Sequence, residues 1–197
     1  MPSFLVLYGT GEGQTEKVAT HIGDVLTDRG HDATTVDANE VAPDFAIDDF
    51  DAVLVGASIH AGKHQASVSE FVSSNRDTLA AKPTAFFQVS LLSADEGGKA
   101  QAAGYVEVFI ENTDWHPDRI GLFGGALRYT KYGFLKRLVM KQIAKRKVTE
   151  MPEADPSGDV EFTDWDEVEA FAADVAAFVE GRLGITPPVA DDQGDTG

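Results

Sequence analysis

The chain of 197 residues carries 33 acidic side chains against 16 basic ones, a net charge of −17, and no cysteine. That balance excludes nucleic acid and anionic membranes as partners of the surface as a whole. The lack of thiols excludes disulfides, thiolate-held clusters and thiol redox chemistry, so a redox function requires a bound cofactor.

The length suits one domain with a sizeable core. Met1 leads straight into an apolar run with no signal-peptide pattern, and no stretch reaches transmembrane length, so a cytoplasmic location is expected. The Asp-rich, Lys-poor excess resembles proteins adapted to high salt.

In chain order, apolar runs and helical patterns alternate. The sequence predicts a strand over 4–8, a helix over 15–29, strands over 33–36 and 52–56, and a helix over 67–79. A strand over 84–89, a helix over 99–112, a strand over 120–123 and a helix over 165–183 follow. Strands alternating with helices predict βαβ units and a mostly parallel sheet. The last helix has Thr163 as its expected N-cap, with Asp164, Asp166 and Glu167 near its start. Its expected apolar face is Val168, Phe171, Val175 and Phe178. Residues 185–197 have two prolines and no periodic apolar face, and are expected to be a disordered acidic tail.

Between strand 120–123 and the last helix the connection is too long for a simple loop, which predicts an insertion over about 127–161. Arg128, Lys131, Lys136, Arg137, Lys141, Lys145, Arg146 and Lys147, half of all the basic residues, gather there without an acidic residue among them. Over 134–147, apolar Phe134, Leu135, Leu138, Val139 and Ile143 share one helical face, and Arg137, Lys141 and Lys145 recur on another. A basic amphipathic helix of this kind fits a membrane interface with its lysines on anionic headgroups. It equally fits packing on the domain, with the lysines balancing the acidic surface.

The first strand runs into Gly9-Thr10-Gly11-Glu12-Gly13-Gln14-Thr15 and then a helix. Small and hydroxyl residues at a helix N-terminus offer backbone N–H groups, hydroxyl donors and the positive end of the helix dipole to a phosphate. The segment lacks the Gly-Lys-Ser/Thr ending of a P-loop and the spacing of a dinucleotide fold. It resembles the flavodoxin phosphate site, Thr10, Gly13 and Thr15 matching, while Glu12 stands where a second threonine is usual. The resemblance implies a doubly wound five-stranded parallel sheet of order 2-1-3-4-5. Its cofactor would be FMN rather than FAD, since the loop suits one terminal phosphate and no adenine site is evident.

In such folds the cofactor lies beyond the carboxyl ends of the strands, at the switch point between the first and third. The expected cofactor-binding residues are therefore Thr10, Gly11, Glu12, Gly13, Gln14 and Thr15, then Ser58, Ile59 and His60 after the third strand, then Ser90, Leu91 and Leu92 after the fourth. Neither of the two later loops supplies Trp or Tyr, which leaves one ring face open and suits an enzyme better than a dedicated carrier. His60 and His64 read first as surface-loop histidines, with His60 the candidate for proton transfer. Five scattered histidines without cysteine give no metal-ligand spacing.

Further motifs run through 56–59, 115–119, 125–129 and 162–165: Gly-Ala-Ser-Ile, Trp-His-Pro-Asp-Arg, Gly-Ala-Leu-Arg-Tyr and Phe-Thr-Asp-Trp. Together they resemble the menaquinone-dependent protoporphyrinogen IX dehydrogenase family over residues 4–180. The resemblance implies an FMN enzyme with a tetrapyrrole substrate and a quinone acceptor, acting in haem synthesis. The residues themselves leave two alternatives open, a flavodoxin-type electron carrier serving a protein partner and a flavin-free interaction domain.

Overall fold

The computed structural model describes residues 1–60, 62–127 and 160–185, without the side chain of Leu127. Strand β1 (Ser3–Gly9) leads through the glycine loop to α1 (Gln14–Asp28) and β2 (Asp32–Asp37). Then come β3 (Ala52–His60), the two-residue β4 (Lys63–His64), α2 (Ala66–Ser74) and α3 (Arg76–Ala80). β5 (Thr84–Ser90), α4 (Glu96–Thr113) and β6 (Arg119–Gly124) follow. The short strands β7 (Ala126–Leu127) and β8 (Val160–Glu161) precede the last helix α5 (Trp165–Leu183).

The main sheet has the order β2-β1-β3-β5-β6, with β4 attached to β3. Its neighbours along that path are all parallel. With β4 set aside, this is the expected 2-1-3-4-5 arrangement.

Alternation along β1 explains why the strand can be apolar at nearly every position. Phe4 and Val6 face one layer, where they pack with Val18, Ile22 and Leu26 of α1 and Val168, Ala172 and Val175 of α5. Leu5 and Leu7 face the other, with Val68 and Val72 of α2, Val106 and Phe109 of α4, and Trp115. The expected apolar face of the last helix is in place, with Val168 and Val175 buried and Phe171 and Phe178 half-buried against the same cluster.

Three local expectations need correction. β3 runs on to His60 instead of ending at residue 56, because the chain folds back and pairs Ile59 with His64 and His60 with Lys63. The helix expected over 67–79 is divided at Asn75, whose backbone leaves helical geometry and whose Nδ2 donates to the Phe71 carbonyl at 2.8 Å. Thr163 is not the N-cap of the last helix. Asp164 is, accepting from the amides of Asp166 and Glu167, because the Thr163 hydroxyl is committed to the Gly124 carbonyl at 2.7 Å.

The ends of the insertion meet in a short antiparallel ladder, Ala126 opposite Glu161 and Leu127 opposite Val160. The expected amphipathic segment 134–147 and all of the expected tail but Ile185 lie outside the described residues. Among those described, no helix is long and apolar enough to cross a membrane.

Candidate cofactor site

The turn between β1 and α1 is held by two devices. Gly13 adopts a φ of 90°, a left-handed conformation that costs glycine little. Its amide donates to Thr10 Oγ1 at 2.8 Å, which closes the loop and leaves the Thr10 hydroxyl proton free to be donated outward. No side chain caps α1, so its first amides lack the partners that a capping residue would give.

Thr15 lies in that first turn, fully buried, and its hydroxyl has no hydrogen-bond partner among the described residues. Gln14, also buried, donates from Nε2 to Thr163 Oγ1 at 2.8 Å while its Oε1 stays unpartnered. A buried polar atom without a partner costs about 1–3 kcal/mol. A hydroxyl donor kept in that state beside a helix N-terminus is the arrangement a phosphate oxygen would relieve.

The surrounding charge is negative. Lys17, one turn into α1, pairs with Glu161 at 3.4 Å. At the end of β1 the Tyr8 hydroxyl is held above its ordinary pKa, first by burial and then by the charges of Glu16, Asp37 and Glu40. Among the described residues, an anion here would be held by neutral donors and the helix dipole.

The other expected site residues cluster at the same edge of the sheet, at the carboxyl ends of the adjacent strands β3 and β5. Ser58 is clamped by Gln65, whose Oε1 accepts from the Ser58 amide at 3.1 Å and whose Nε2 donates to the Ser58 hydroxyl. Ile59 sits in the hairpin, and His60 is exposed. Ser90 turns inward: its hydroxyl caps the following 3-10 turn through the Ser93 amide and lies 3.0 Å from Ser93 Oγ. Leu91 is 42% exposed. Leu92 is locked beneath α4, since a Cβ on Gly98 would come within 1.9 Å of its carbonyl oxygen.

The stem of the insertion joins this edge too. The Gly125 amide donates to the Ser90 carbonyl at 3.0 Å, and the Phe162 amide to the Gly125 carbonyl at 2.9 Å. Thr163 thus ties the stem to the phosphate loop through Gln14.

Four residues that the sequence reading did not assign to the site shape it. Gln65 wedges between β1 and β3, and a Cβ on Gly9 would lie 3.3 Å from its Cβ. Tyr105 of α4 reaches the hairpin tip, 3.7 Å from where a Cβ on Gly62 would be. Thr163 joins stem to loop. Gln88 is buried in β5 and holds His64, Oε1 to Nε2, at 2.8 Å. Only Gln88 carried a signal, as a lone amide inside an apolar strand run.

Residues 5–153 match the flavodoxin domain family. The chain is 32% identical over 174 residues to the protoporphyrinogen IX dehydrogenase (quinone) of Escherichia coli K12, covering 87% of this chain and 93% of that protein. The Leishmania major protein of the same name is 33% identical over 177 residues, 89% of this chain and 75% of its own. The chain belongs to the protoporphyrinogen IX dehydrogenase (quinone) family.

Among solved structures it shares the fold of a flavodoxin from Streptococcus pneumoniae TIGR4, with a TM-score of 0.54 at 18% identity over 89% of this chain and 99% of that one. Rubredoxin oxygen:oxidoreductase of Desulfovibrio gigas gives 0.55 at 12% identity, over 92% of this chain and 37% of that one.

The motifs behind the likeness to the protoporphyrinogen IX dehydrogenase family act mainly in packing. Trp115 is buried with its ring edge-on to Phe86 and Phe109. Asp118 accepts from the Thr84 amide at 2.9 Å and so aligns the start of β5. Arg119 donates to Asp174 at 2.9 Å and lies 4.2 Å from the centre of the Phe178 ring. Trp165 donates to Glu161 at 2.8 Å and meets His21 of α1 edge-on. Arg128 and Tyr129 lie outside the described residues.

Proposed function

We propose that this chain is an FMN enzyme that oxidises protoporphyrinogen IX and hands the electrons to a quinone. The observation that carries this reading is identity with the E. coli protoporphyrinogen IX dehydrogenase along 93% of that protein. The buried, unpartnered Thr15 hydroxyl supports the cofactor part. FMN would supply the two-electron chemistry for which a cysteine-free chain has no group of its own.

In this reading Thr10, Thr15 and the backbone of Gly11, Glu12 and Gly13 hold the phosphate, and the Gln14 Oε1 is an acceptor for a sugar-alcohol hydroxyl. The backbone of Ser58, Ile59 and His60 and of Ser90, Leu91 and Leu92 borders the ring. The Ser58 hydroxyl accepts from Gln65 and the Ser90 hydroxyl from the Ser93 amide, so Ser58 keeps its hydroxyl proton to donate while Ser90 is turned inward toward Ser93. The exposed Leu91 gives an apolar surface for a flat ligand.

Residues 1–184 then form one FMN-binding domain with the insertion as an appendage, and 185–197 trail from it. The basic stretch 134–147 lies on the inner face of the cell membrane and brings the site to a lipid-borne quinone. What supports this is the position of the insertion stem beside the β5 turn.

Anaerobic mixing tests the activity. Protoporphyrinogen IX is expected to bleach the bound flavin and menaquinone to restore it, and acid release is expected to yield FMN. Bleaching by a ferredoxin or its reductase, with none by the porphyrinogen, would make the protein a carrier.

A further inference from the structure

Gln88 stands fully buried in the apolar middle of β5, and both ends of its amide are engaged. Its Nε2 lies 2.9 Å from the Ala102 carbonyl oxygen in α4. A carbonyl only accepts, so the amide nitrogen faces α4 and the amide oxygen faces His64, whose Nε2 is 2.8 Å away. That oxygen also only accepts. His64 therefore carries its proton on Nε2, and in the neutral ring the lone pair is on Nδ1. The ring is half-buried, and Nδ1 has no hydrogen-bond partner among the described residues yet is not sealed from solvent. Phe86 and Phe109 meet the ring edge-on at centroid distances of 5.7 and 4.8 Å, which fixes its plane.

His64 lies in the hairpin whose first arm carries the cofactor-site candidates Ser58, Ile59 and His60. It pairs with Ile59 across the hairpin that ends β3, and the next residue, Gln65, clamps Ser58 and lies against the end of β1. The bond to Gln88 and the two aromatic contacts fix the orientation of this nitrogen.

We propose that His64 is the proton acceptor for substrate oxidation and that Gln88 is the positioning residue that sets its tautomer. The proposal rests on the FMN-dependent oxidation of a porphyrinogen argued above. In the first two-electron oxidation FMN, when bound, would take a hydride from a bridging methylene carbon, and the proton of the adjoining pyrrole nitrogen would pass to Nδ1. The N–H electron pair stays on the substrate in the new conjugated double bond. The imidazolium would then give its proton to water, and reduced FMN would pass its electrons to the quinone acceptor.

The ring is suited to this at neutral pH. Burial lowers its pKa from the ordinary 6.5, and the bond to Gln88 opposes that only in part, so the free base is present at pH 7. The groups facing it are Ile59 from β3, Phe86 and Gln88 from β5, and Phe109 with the Ala102 carbonyl from α4, none of them charged. His60 and Lys63 in the hairpin and Tyr105 on α4 do not contribute to the shift.

Nitrogen-15 spectra of the FMN-loaded protein test the tautomer without turnover. A proton on Nε2 and a bare Nδ1 are expected, and Gln88→Leu should mix the two tautomers. A ring protonated on Nδ1 in the wild type would overturn the proposal. Anaerobic stopped-flow reduction of the flavin by protoporphyrinogen IX tests the chemistry. The wild-type rate should rise through one ionisation below pH 6.5 to a plateau.

His64→Asn keeps an N–H toward Gln88 but has no base. It should lower that plateau by about 10²- to 10⁴-fold and erase the ionisation. Imidazole should restore part of the rate in His64→Ala, and dithionite should reduce the flavin in every variant. An unchanged rate and pH profile in His64→Asn would refute the assignment. A wild-type flavin that dithionite reduces and the porphyrinogen does not would instead remove the functional reading, and with it the substrate proton.

Discussion

Thr15→Val separates what the phosphate loop does for folding from what it does for binding. The hydroxyl is fully buried and has no hydrogen-bond partner among the described residues. Replacing it by a methyl group of similar size removes a desolvated polar atom and breaks no internal bond. Threonine and valine have nearly equal helix propensity, so the backbone term is small. Without cofactor the variant should be as stable as the wild type or more so, by up to about 1–3 kcal/mol.

With cofactor the sign reverses. A hydrogen bond to a charged phosphate contributes about 1.5–3 kcal/mol, so FMN affinity should fall by roughly 10- to 100-fold. Urea unfolding of the cofactor-free protein measures the first effect, and FMN fluorescence quenching on titration measures the second. An affinity unchanged within twofold would show that the hydroxyl does not meet the phosphate. A less stable apoprotein would show that it has a structural partner, and the argument from the unpartnered atom would fall.

Gly56→Ala would place its Cβ 2.1 Å from the Phe87 ring in the core. It should cost about 1–3 kcal/mol of stability, read as a lower urea midpoint; an unchanged midpoint would mean that the ring shifts freely. For the basic stretch, the protein should sediment with anionic vesicles, and Leu138→Asp with Val139→Asp should abolish this while FMN stays bound. Loss of FMN or of folding in that double variant would assign the apolar face to the core.

The fold was legible because its signals are local and repeated. β1 is apolar throughout, the glycine loop follows it directly, and α5 shows a helical apolar face. Where the reading failed, long-range hydrogen bonds had overridden a local preference. Thr163 is a good capping residue by type, but Gly124 and Gln14, distant in sequence, engage its hydroxyl and leave the cap to Asp164. Gly56 to His60 looked like a flexible loop because of its small residues. The small size of Gly56 instead admits Phe87, and the strand continues to a hairpin. The histidines carry the same lesson. His60 and His64 are alike in sequence, and only the buried amide of Gln88, 24 positions further on, distinguishes them.

A segment that departs and returns as antiparallel neighbours can be exchanged as a cassette. Leu127 and Val160 are paired, so a tight two-residue turn would span the same gap that residues 128–159 now bridge. The entropy of closing such a loop grows only with the logarithm of its length. Lineages can therefore lengthen, recharge or trim this stretch with little strain on the sheet. The stem is tied through Thr163 and Gln14 to the first turn of α1, so the returning end of the stretch is held at a constant place beside the phosphate loop.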